Sequence, residues 1–125
     1  LIIGGHPHVV QDHGVLTAAD GRQVPVVYAL GNLVSNQRWE DSNGGIMTTV
    51  DIDRETHKIV AIDFIPVYVH KGSLMNERRN YYCIPTEDYL RGDLPFTLPN
   101  DSLEQDLRLF HSNTTKRLST SMKWE

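Results

Sequence analysis

Two alternating segments, Ile46 to Asp53 and Lys58 to His70, flank the polar tetrapeptide Arg54-Glu55-Thr56-His57. Successive side chains of a strand point to opposite faces, so period-two alternation marks strands with one buried face. A short polar break between two such strands predicts an antiparallel hairpin. Ile62, Phe64 and the neighbouring Ile65 suit a half-buried second strand. Pro66, which has no N–H to give a ladder, predicts an edge or a bulge there.

A second hairpin is predicted upstream. Val15-Leu16 and Val24 to Leu30 stand around Ala19-Asp20-Gly21-Arg22, where Asp-Gly is a strong turn signal. Val26 to Leu30 is apolar throughout and predicts cover on both faces. Gly31-Asn32 ends that strand, and a polar loop of about ten residues, Ser35 to Gly45, carries Trp39. Leu1 to Gly4 reads as the end of a buried strand. Beyond Lys71-Gly72, Tyr81 to Ile84 reads as a short strand and Thr86 to Leu90 as a helical turn. Asp101-Ser102-Leu103-Glu104 approximates a capping box, and Leu103, Leu107 and Phe110 follow at helical spacing. A helix over about 102–112 is expected, followed by a polar tail, 112–125, that frays. The fold class is therefore α+β: mainly antiparallel hairpins with a C-terminal helix.

At 125 residues the chain suffices for one domain with a modest core. A net charge of −4 and a pI near 5.8 argue against nucleic acid as a partner, which asks for a basic face. The single cysteine, Cys83, excludes an intrachain disulfide and paired-thiolate zinc sites, and is expected as a small core hydrophobe. No apolar run approaches the roughly 20 residues of a membrane span. The chain opens at Leu1-Ile2-Ile3, inside a strand-like run, and is read as a fragment of a longer polypeptide.

Three of the six histidines, His6, His8 and His13, fall close together. Imidazole is the commonest metal ligand. In His6-Pro7-His8 the proline fixes its own φ and disposes His6 toward extended geometry, which limits the entropy lost when a ring engages a cation. A pair of divalent metals roughly 3.5–4 Å apart is straddled readily by neighbouring loop imidazoles. On spacing alone, an ordinary polar loop accounts for the same residues.

The stretch Leu1-Ile2-Ile3-Gly4-Gly5-His6-Pro7-His8-Val9-Val10-Gln11 resembles the apolar strand, Gly-His-x-His-Val and following Gln of bacterial capsule-synthesis proteins of the CapA/PgsA, poly-γ-glutamate type. Val27-Tyr28-Ala29-Leu30-Gly31-Asn32-Leu33-Val34 resembles that family's Tyr-Ser-Leu-Gly-Asn-Phe-Val, with Ala29 for Ser and Leu33 for Phe. The detailed likeness covers residues 1–34 and a looser one reaches Val69. The resemblance implies that residues 1–72 form the C-terminal part of a four-layer αββα metallophosphoesterase-like sandwich, with 73–125 as an extension. It implies divalent metal ions as cofactors, with His6 on one metal and His8 on the other. Asn32 would be an orienting group facing the site, and His13 a third ligand or a donor to one. The other ligands of such sites come from Asp, His and Asn motifs that this chain does not contain. The implied parent acts at the cell envelope, and is either a metal-dependent hydrolase or a non-catalytic surface module that binds or anchors polymer. Its implied partners are an anionic polymer such as polyglutamate and other capsule-synthesis proteins. The fragment itself is expected to be inactive.

The bland alternatives are concrete. Asn32 suits a turn that tolerates left-handed geometry, and His13 a solvated loop. Arg78, Arg79, Tyr81 and Tyr82 suit either an anionic polymer or a basic turn beside two core tyrosines. Trp39 suits either a substrate contact or a plug that packs its loop down.

Overall fold

The computed structural model describes residues 1–74 and 81–118. Arg78 and Arg79, and residues 119–125 of the expected tail, lie outside the described residues. The protein is α+β, with two three-stranded sheets and a C-terminal helix.

The first sheet has the order β1-β3-β2, from β1 (Ile2–Ile3), β2 (His13–Thr17) and β3 (Gln23–Val27). β2 and β3 form the expected hairpin around residues 18–22, with Gly21 at φ +84° taking the left-handed position. β1 joins β3 in parallel. Its side chains are not buried as expected: Ile2 and Ile3, on one of the two edge strands of this sheet, are 46% and 52% exposed. The apolar run after Val26 is also only partly covered. Val26, Val27 and Ala29 are buried, whereas Tyr28 is half exposed where regular pairing has already ended.

The second sheet contains β4 (Gly44–Ile52), β5 (Ile59–Lys71) and β6 (Tyr81–Pro85), with β5 central. Asp53 closes the β4–β5 turn by accepting from the Thr56 amide and hydroxyl, each at 2.6 Å. Those bonds hold its exposed carboxyl below the usual range. Pro66 pairs with Ile46 one position beyond the end of the β6 ladder, so its missing N–H interrupts no bond to β6. Cys83 corrects an expectation: it is exposed. Ile84 turns into the core, and the strand pleat sends the preceding side chain to the other face.

After α1 (Thr86–Arg91), α2 runs from Asp101 to Leu118, longer than expected at its C-terminal end. Its cap is Asn100, whose Oδ1 accepts from the Leu103 amide at 3.0 Å, one residue before the expected capping box. Such a cap is worth about 1 kcal/mol. Asp101 and Glu104 in the first turn and Lys116 and Arg117 in the last complement the helix dipole. The helix continues past Ser112 because the buried stripe continues: Leu107, Phe110, Thr114 and Leu118 recur at spacings of three and four.

Tyr68, Leu74, Ile84, Tyr89, Leu98, Leu107 and Phe110 form one core cluster, which spans the expected boundary at Gly72. A second cluster of Val10, Val27, Ile46 and Leu118 ties the first sheet, the second sheet and the end of α2 together. Among the described residues, no helix is long and apolar enough to cross a membrane.

Candidate functional site

The histidine loop is anchored at both ends to a single segment. On one side the Gly4 amide donates to Val27 O at 2.7 Å. A β-carbon on Gly4 would lie 2.2 Å from the Tyr28 carbonyl oxygen, so this close approach requires glycine. On the other side Val10, fully buried, bridges Leu30, and the Gln11 amide donates to Ala29 O. The chain must therefore leave residue 27 and return to residues 29–30 within a few positions. That reversal places His6 at φ +98° and His8 at φ +61°, so His6 does not take the extended geometry expected of a residue before proline. Positive φ in non-glycine residues costs roughly 1–3 kcal/mol and tends to cluster at functional loops.

Asn32 is only 8% exposed, and its side chain, not merely its backbone, faces this loop. Its Nδ2 donates to Ser42 O at 2.8 Å and to Gln37 Oε1 at 2.9 Å. The Ser42 carbonyl is an acceptor only, which fixes the amide orientation and leaves Oδ1 facing His8. Asn32 Oδ1 lies 2.9 Å from His8 Nδ1. An amide oxygen cannot donate, so His8 Nδ1 must carry the proton. The tautomer follows from the network: Nδ1–H bonded to Asn32, and an Nε2 lone pair on an exposed ring. A histidine whose remote N–H is held by a fixed acceptor is the usual arrangement of a metal ligand.

The other candidates are placed differently. His6 is exposed and makes no hydrogen bond among the described residues. His13 begins β2 and stacks on Phe64, with ring centroids 4.8 Å apart and planes at 19°. Its Nε2 lies 3.3 Å from Leu118 O, at the end of α2, so this ring joins sheet to helix. Trp39 is 53% exposed and does not plug its loop. Among the described residues, no group of three or more His, Cys, Asp or Glu side chains is placed to hold a metal ion. Tyr81 and Lys71 both meet Asn36 Oδ1, and Tyr82 is half-buried with its hydroxyl on Leu74 O.

Sequence reasoning missed the residues that fix the loop carrying Gln37 and Ser42. Arg38 Nη1 donates to Val69 O at 2.6 Å, and the Val69 amide donates to Asn43 O. Nothing in the local composition marked them. Matches were sought among protein-family models, curated proteins and solved structures, and none was found for this chain.

His70 was also missed. It is 3% exposed, and neither ring nitrogen has a hydrogen-bond partner. Burial, reinforced by the Arg38 charge, holds its pKa below the ordinary 6.5. The unfolded chain therefore binds the proton more readily than the native one. Stability is full above about pH 6.5 and falls as the pH drops through that value toward the lower native pKa. Urea midpoints measured at pH 7.5, 6.5 and 5.5 should decline in wild type and decline less in His70→Leu. Parallel declines in the two proteins would assign the acid sensitivity elsewhere.

Proposed function

We propose that this chain supplies the last metal-ligating loop of a metallophosphoesterase-like site, in a capsule or poly-γ-glutamate synthesis protein acting at the cell envelope. The observation that carries the reading is the His8–Asn32 bond. It joins the two motifs of the family resemblance, 24 residues apart, through the atom that leaves His8 Nε2 available for a cation.

The donor set fits part of such a site. His8 offers an oriented Nε2 and His6 an exposed ring in the same loop, whereas a complete two-metal centre needs further ligands from outside these residues. When bound, the metals would polarise a substrate oxygen and lower the pKa of a coordinated water. The chain's own part is narrower. Asn32 holds the proton on Nδ1, Gln37 and Ser42 hold Asn32, and the anchors at Gly4 and Val10 hold the loop. His13 supports the site through the sheet–helix packing it makes. An anionic polymer such as polyglutamate, and other capsule-synthesis proteins, are the partners this reading implies.

Two measurements test it. Alone, the 125-residue chain should bind zinc or manganese no more tightly than an isolated histidine pair and show no activity; tight two-site binding by calorimetry would contradict this. In a longer polypeptide that includes the upstream ligands, His6→Ala and His8→Ala should each lower the metal content of purified protein. Equal metal content in all three proteins would favour a non-catalytic surface module that binds or anchors polymer.

A further inference from the structure

We infer that Asp41, clamped by Asn113 and Arg117 of α2, is a positioning residue for the histidine loop, and decides through Asn32 which nitrogen of His8 carries the proton. The meaning of that proton for metal binding rests on the function proposed above; the transmission itself does not.

Both acceptors of the Asn32 Nδ2 group, Ser42 O and Gln37 Oε1, belong to the connection between Asn32 and β4. Where the Ser42 carbonyl points is set by the backbone around Asp41, which takes φ +64°, a left-handed value unusual for a residue with a side chain. Its side chain holds it there. Asp41 is 6% exposed, with Oδ1 accepting from Asn113 Nδ2 at 3.0 Å and Oδ2 from Arg117 Nη2 at 2.5 Å. A buried carboxylate persists only with such partners, so helix and loop are locked to each other. Ser42, fully buried, adds its amide and hydroxyl to Trp39 O. These bonds link Asp41 through Ser42 to Asn32 in the arrangement that turns Asn32 Oδ1 toward His8.

Without the clamp, Asp41 has no reason to stay left-handed and the Ser42 carbonyl can turn away. Only Gln37 Oε1 then holds the Asn32 Nδ2 group. Because the Gln37 side-chain amide carries both a donor and an acceptor, it can turn in concert, letting the Asn32 amide rotate by half a turn and offer N–H to His8 Nδ1. That nitrogen becomes the acceptor, the proton moves to Nε2, and the ligating lone pair is lost. A merely structural role for Asp41 would not select one tautomer of a ring elsewhere in the fold.

Long-range 1H–15N correlation of histidine-labelled chain, at pH 8 and without metal, reads the tautomer directly. In wild type His8 should be predominantly Nδ1–H. Asp41→Ala and Arg117→Met should lower the ratio of Nδ1–H to Nε2–H about tenfold, the scale of one lost hydrogen bond to a charged or fixed partner. Exposed His57 should not change. Asn113→Ala removes the bond to Asp41 and a long, exposed one to Glu40 Oε1 at 3.4 Å, from a partly buried residue; it should keep the fold and shift the ratio in the same direction, and it decides the matter if Asp41→Ala unfolds. A wild-type ratio in both Asn113→Ala and Arg117→Met, together with a changed ratio in Asn32→Ala, would overturn the Asp41 inference alone. A wild type with no Nδ1–H preference, unaltered by Asn32→Ala, would overturn the reading of His8 itself.

Discussion

Replacing Phe110 by alanine should lower the free energy of unfolding by about 3–5 kcal/mol. The ring is 1% exposed and packs at 6.3 Å, tilted, from Tyr68 of β5. It also lies directly on the backbone of β4, since a β-carbon on Gly44 would fall 2.5 Å from Phe110 Cζ. On the Gly44 side the ring meets bare backbone, which offers no side chain to collapse into the vacated space, so the cost should sit high in its range. A domain of this size has about 5–15 kcal/mol in total, and the loss is a large share of it. Urea unfolding followed by NMR amide signals should show β4 and α2 losing structure at one shared, lower midpoint. If the α2 signals disappeared first while β4 kept its wild-type midpoint, residues 73–118 would be an appended unit and the shared core would carry little weight.

Adding one methyl at Gly45 should destabilise the protein by about 3 kcal/mol and disconnect the histidine site. The new carbon would stand 2.6 Å from Asn32 O and 2.7 Å from Leu30 O. Both are backbone atoms, so no rotamer change relieves the clash. They belong to the junction of the two sheets, where Gly31 bridges Gly45, the Ile46 amide donates to Leu30 O, and the Asn32 amide donates to Gly44 O. Forcing that junction open moves Asn32, and the His8 Nδ1 bond should go with it. Gly5→Ala is the matched control, because a β-carbon there meets nothing within 4 Å; it should change stability by no more than about 0.5 kcal/mol. Equal urea midpoints for the two alanine variants, with an unchanged His8 nitrogen shift in Gly45→Ala, would mean that the junction yields easily.

The two results bear on different layers of the molecule. Phe110 tests whether helix and sheet share one core, and Gly45 tests whether the site is held by the contact between sheets. Thr114 and Leu118, in the segment expected to fray, belong to the same design, because the helix that buries them also presents Asn113 and Arg117 to Asp41.

Local pattern was enough for the strands and for the existence of the helix. The alternation of 46–53 and 58–70, the Asp20-Gly21 turn and the spacing of Leu103, Leu107 and Phe110 express backbone periodicity and turn chemistry, which neighbouring residues determine among themselves. The pairing of His8 with Asn32 was only half visible: each residue stood out in its own motif, but the bond depends on residues 27–32 running beside the loop. Cys83, His70 and the end of α2 were misjudged or missed because burial depends on what another element lays over a side chain. Composition and periodicity, then, determined an α+β chain with two hairpins, a C-terminal helix and a histidine loop at a strand end. Only the tertiary structure decided which His8 nitrogen is protonated, that His13 serves packing between sheet and helix, and that Asp41 and Arg117 meet across 76 residues of chain. Such contacts join groups remote in sequence, and their geometry is set by the packing of whole elements.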